Sequence, residues 1–134
     1  MVTKTTTKKV PKDEAAGHLE KAREWMESAT LLAGTAECSA LVLSIHAVIA
    51  AADALTIRVL GVRSSSKRHE DVLSVLAGLP FDDIKKAAKD LQAVLAKKSE
   101  VEYGSRILKS KDAARIVERA RSFLEYVERR MAEA

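Results

Sequence analysis

The sequence predicts an all-α protein: an up-and-down antiparallel bundle of four main helices, with one short helix placed after the second. Three observations lead there. The chain is 47% apolar and 31% charged, yet holds only 5 Gly, 2 Pro and five aromatic residues, a balance typical of helical domains. Apolar residues recur at spacings of three and four from residue 13 onward, and residues 13–134 lack the Thr, Tyr, Phe and turn residues that a sheet would need. The connections between periodic segments are short, and short connections favour antiparallel neighbours. At 134 residues the chain makes one domain.

Residues 1–12 come first. Lys4, Lys8, Lys9 and Lys12 are their only charged side chains and account for the whole of the +4 net charge. The segment is rich in Thr and Lys and is expected to be a disordered basic tail, leaving 13–134 as a single bundle domain. The pI of 9.3 therefore says less about nucleic acid than it would for an evenly basic chain.

The first helix is expected over Asp13–Ala33. Ala15, Leu19, Ala22, Met26, Ala29 and Ala33 form one apolar face, and Gly34 is a natural stop. The second is expected over Glu37–Leu60, stopping at Gly61. It is apolar almost all round, so neighbours must cover every side, and a partner chain would complete that cover. A short helix follows over Ser66–Ala77. Ser65 or Ser66 caps it, Glu70 and Asp71 sit in its first turn, and Gly78 and Pro80 end it. The fourth helix is expected over Asp82–Lys98, with Ile84, Ala87, Ala88, Leu91, Val94 and Leu95 inward. Residues 99–110 read as a connection. The last helix starts at a Ser110 cap and runs to Met131 on a stripe of Ala113, Ile116 or Val117, Ala120, Leu124, Val127 and Met131.

The segment "LVLSIHAVIAAADALTIRVL", 41–60, has the length of a membrane span. His46, Asp53 and Arg58 interrupt it, and a charge near the bilayer centre costs roughly 2.5–3.5 kcal/mol. It reads as a core helix, with no membrane partner. No signal peptide is evident, and the expected location is cytoplasmic. The single cysteine, Cys38, rules out an internal disulfide and reads as a small structural side chain.

His18, His46 and His69 lie on different helices, and none has a His or Cys three or four residues away, so no metal pattern appears and no cofactor is expected. His18 reads as a surface or rim residue. His46 and Asp53 are seven residues apart and project the same way. A buried Asp53 must be paired. Either it accepts from a Tyr, Ser or Arg inside the bundle, or it orients a site residue such as Arg63 or His69.

The stretch "GVRSSSKRHEDVL", 61–73, carries the chemistry. Arg58, Arg63, Lys67 and Arg68 come with no acid among them, beside the hydroxyls of Ser65 and Ser66 and the free N–H groups of a helix start. Cations at a helix N-terminus make a phosphate pocket. His69 falls in the first turn, where the positive dipole end favours the neutral imidazole that can act as a base. The plain alternative is a solvated basic turn with a capping serine.

Two segments resemble a known family. "AVIAAADALTIRVLGVRSSSKRHEDVLSVL" resembles the middle of HEPN (higher eukaryotes and prokaryotes nucleotide-binding) domains. There an Ala-rich second helix ends in Gly, and a Lys/Arg-Ser/Thr-x-His segment opens the next helix. "KSEVEYGSRILKSKDAARIVERARSFLEYV" resembles their closing segment, in which an acidic-Tyr pair precedes a Ser/Thr-capped last helix. The likeness covers about Asp13 to Arg130 and is closest to small bacterial members. It implies a helical homodimer.

It also implies one of two activities. Many members are metal-independent ribonucleases, some of them toxins, in which four to six residues separate an Arg from a His; Arg63 and His69, with five residues between them, have that spacing. His69 would move a proton and Arg63 would hold the phosphate charge, with a second His supplied by the dimer partner. Ser64 stands where those enzymes usually carry Asn, Asp or His. Other members bind a nucleotide without catalysis, or accompany a nucleotidyltransferase; a toxin would come with an antitoxin. The resemblance also makes Tyr103 a neighbour of the site, stacking on a base or bonding Asp53. A dimeric adaptor whose basic turn is only solvated is the third reading.

Overall fold

The computed structural model describes residues 7–65, 69–104 and 109–133, with only the backbone of His69 included. The protein is all-α apart from one small two-stranded ribbon. In chain order it has β1 (Thr7–Lys9), a 3-10 turn (Lys12–Glu14), α1 (Ala15–Leu32), α2 (Glu37–Leu60), β2 (Val62–Ser64), α3 (His69–Ala77), α4 (Ile84–Leu95), α5 (Lys98–Tyr103) and α6 (Ser110–Glu133).

α2 is the central helix. It packs most extensively on α1, then on α6, and touches α3, α4, α5 and β2. Alanines at 40, 47, 50, 51, 52 and 54 are buried and let these neighbours approach closely, while Leu41, Ile45, Leu55 and Ile57 fill the space between. α2 is long and apolar enough to cross a membrane, but 78% of that span is buried inside the fold. Most of the cover that its apolar surface needs comes from this chain. Val42, Leu43, Ile49 and Val59 stay partly exposed, and His46, Arg58 and Leu60 are exposed.

The helix ends where a glycine permits it. Gly61 has φ 72° and ψ 20°, and its N–H donates to Ile57 O at 2.9 Å. This left-handed cap turns the chain back into β2. β2 pairs antiparallel with β1 in the register Thr7–Ser64, Lys8–Arg63, Lys9–Val62. Val10 is buried and its N–H donates to Gly61 O at 2.9 Å. Residues 7–12, expected in a disordered tail, are thus part of the fold.

α6 carries the longest amphipathic stripe. Ala113, Ile116, Val117, Ala120, Leu124, Val127 and Met131 are buried as expected, joined by Phe123 and Tyr126. Its far end is fastened to the start of α4. Asp83 accepts from Tyr126 Oη and pairs with Arg130, each at 2.8 Å, and Asp90 pairs with Arg119 at 2.8 Å.

Three further expectations change. α4 covers Ile84–Leu95, shorter than the expected 82–98, because Asp82 and Asp83 lie before its first turn and the chain breaks at residues 96–97. Residues 99–103, expected in a connection, belong to the short helix α5, held by Val101 against the core. Cys38 is exposed rather than a packed structural side chain.

Candidate phosphate-binding site

The reversal at Gly61 builds the site. β2 runs back beside the end of α2, which brings Arg63 toward residues one to two turns earlier on that helix. Arg63 is half-buried, and its guanidinium donates to the Ser64 carbonyl at 3.2 Å. It makes no ion pair among the described residues. Its charge nevertheless acts on Asp53 and His18. The carboxyl of Asp53, on α2, is pushed up to about 7 by burial, with Arg63 opposing that rise. His18, on α1, is held below the usual imidazole range first by partial burial and then by the charges of Arg63 and Lys21, with Glu14 opposing.

The charge of Arg63 is thus felt by an acid and a base on two helices. With its carboxyl at about 7, Asp53 is partly protonated at neutral pH and can give or take a proton there. His18 is held toward its neutral form, an acceptor. His18 was expected as a surface or rim residue, and it is partly exposed. No local spacing links it to Arg63, because 45 positions and a chain reversal separate them. The charge of Arg63 reaches it only through the fold.

The other expected residues divide. Asp53 is half-buried, and its carboxyl has no hydrogen-bond partner among the described residues; its backbone carbonyl accepts from Thr56 Oγ1 at 3.2 Å. Among the described residues it therefore has neither a Tyr nor a Ser partner, and the charge of Arg63 is the one that acts on it. His46 shares a helix with Asp53 but is exposed and lies against Trp25 of α1, ring centres 5.6 Å apart. Tyr103 ends α5 and is 81% exposed, without a hydrogen bond to Asp53. Ser65 is exposed and Ser64 is buried. His69 opens α3, with five residues between it and Arg63. Its side chain, together with Ser66, Lys67 and Arg68, lies outside the described residues.

Other cations gather at the same end. Lys8 is paired across the ribbon with Arg63, and Arg58 is exposed in the last turn of α2. A methyl group on Gly61 would sit 3.7 Å from Lys12 Cε, so the stem of Lys12 lies over the turn. Among the described residues no group of three or more His, Cys, Asp and Glu is placed to hold a metal ion. The cleft between α4 and α6 is also charged, lined by Asp83, Lys86, Asp90, Glu125 and Arg129. There Asp83 and Asp90 are already paired with Arg130 and Arg119, so it reads as a seam that fastens two helices.

The chain matches no known family model, and no curated protein matches it.

Proposed function

We propose that the chain is an HEPN-like helical protein that binds an RNA or nucleotide phosphate at the basic turn 63–69 and cleaves RNA without a metal. The observation that carries this reading is Arg63. It is a half-buried cation with no ion pair among the described residues, on a strand whose next element opens at His69. Desolvation strengthens the pull of such a charge on a phosphate. The HEPN resemblance supplies the role for His69.

In this mechanism Arg63 holds a non-bridging oxygen of the phosphodiester. The His69 imidazole takes the proton from the ribose 2′-hydroxyl as its oxygen attacks phosphorus, and the 5′-oxygen of the next nucleotide leaves with a proton from a second acid. The bond formed is 2′-O–P and the bond broken is P–O5′. The partner subunit of a homodimer would supply that second group. Val42, Leu43 and Ile49, the partly exposed side of α2, are the surface on which such a dimer would close, and Trp25 stands beside them.

The test is cleavage of single-stranded RNA by purified protein in EDTA, beside the Arg63→Ala/His69→Ala double variant. Wild-type cleavage lost in the variant supports the proposal. Binding without cleavage would leave a phosphate-binding partner subunit. Neither binding nor cleavage by folded, dimeric protein would remove both.

A further inference from the structure

The Lys8–Arg63 register puts two cations directly opposite each other in an antiparallel ribbon. Directly opposed residues point to the same face, with their Cβ atoms about 4.5–5.5 Å apart, and like charges there repel. The ribbon has three residue pairs, and a two-stranded ribbon is marginal by itself. It is held by Val10, buried beside it and bonded to Gly61 O. Nothing in that anchor requires a cation at position 8.

The neighbouring cations have a structural account that Lys8 lacks. Lys12 lies over Gly61 and Arg58 sits in the last turn of α2, where the carbonyl end of the helix dipole attracts positive charge. Lys8 is exposed and pairs with no acid among the described residues. Asp53, a carboxyl that feels the charge of Arg63, is shielded by burial, and among the described residues Lys8 does not act on it. Lys9, one residue on, is opposite Val62 and therefore points to the other face.

We propose that β1 is a working part of the site: Lys8 and Arg63 together grip the phosphate backbone of one RNA strand. This rests on the reading that Arg63 takes a phosphate. A bound phosphodiester turns the opposed pair from a repulsive contact into a two-point clamp. The contact is to backbone and is independent of base sequence. It also gives the N-terminal segment a role in substrate binding that its composition, a Thr/Lys run, does not reveal.

The experiment is fluorescence anisotropy of a labelled polyuridylate with the full chain, at several salt concentrations. It compares wild type with Lys8→Gln, Lys8→Arg, Lys9→Gln and Arg63→Gln, each checked for an unchanged thermal melt. Lys8→Gln is expected to weaken binding several-fold and to lower the slope of log affinity against log salt by about 0.7, one single-strand phosphate contact. Lys8→Arg keeps the affinity, and Lys9→Gln changes it by less than about twofold. If Arg63→Gln loses binding while Lys8→Gln and Lys9→Gln behave alike, the clamp is wrong and the Arg63 reading stands. If Arg63→Gln binds as wild type does, or if wild type does not bind, the underlying reading falls and the clamp with it.

Discussion

Asp53→Asn should stabilise this protein, by an amount that grows as pH rises from about 4 to about 7. The Asp53 carboxyl is raised by burial from 3.8 to about 7, against the opposing charge of Arg63. A group whose folded-state pKa is raised leaves stability intact below its unfolded pKa, and stability is lost as pH rises through the folded value. The loss therefore runs from about pH 4 to about pH 7 and is complete above that. The full shift corresponds to roughly 4 kcal/mol, and residual solvent at this half-buried position reduces it to about 2–3 kcal/mol. Asparagine keeps the shape and carries no charge. For a chain of this size each kcal/mol moves the melting temperature by about 4 °C. Thermal unfolding followed by circular dichroism should give the variant a melting temperature about 8–12 °C above wild type at about pH 8.5, and within about 2 °C at pH 4. Equal melting temperatures at the higher pH would show that Asp53 is ionised without cost, and the reasoning from burial would be refuted.

Other perturbations report on other parts of the structure. Gly61→Ala puts a side chain at φ 72° and should cost about 1–2 kcal/mol, measured by urea unfolding, although no neighbour clashes with the added methyl. Phe123→Ala empties a fully enclosed position in α6 and should cost about 3–5 kcal/mol in the same assay. Cys38 is exposed at the start of α2 beside Val42 and Leu43, so a thiol reagent should label it in the native state. If a homodimer closes on that side of α2, labelling should slow as protein concentration rises; a concentration-independent rate would argue against that surface.

What was legible in the sequence followed from how each signal is carried. α2 runs from Glu37 to Leu60 as expected, because an uninterrupted apolar run bounded by a C-terminal glycine has few alternatives. The α6 stripe was equally plain, since its heptad-like spacing persists over 24 residues. β1 was not, because Thr7–Lys9 has no alternation of apolar and polar residues. Its fixing comes from the partner strand and from Val10, which composition does not weigh. α5 leaves no periodic signal, because one half-buried Val101 cannot show a period. At the site, Arg63 was visible as a cation in an acid-free run. The grouping around it was not. Spacing alone puts His46 and Asp53 on one side of α2, about 10 Å apart along its axis, but only Asp53 comes under the charge of Arg63. His18 joins them from another helix, and nothing local in its sequence marks that.

A single comparison decides whether Arg63 is a phosphate ligand. Arg63→Ala and Arg129→Ala each remove one positive charge, the first from the end of α2 and the second from the α4–α6 cleft. Affinity for single-stranded RNA at one fixed salt concentration should fall by about tenfold or more in Arg63→Ala and by less than about twofold in Arg129→Ala. Equal losses in the two variants would mean that RNA responds only to overall charge, and would contradict the account.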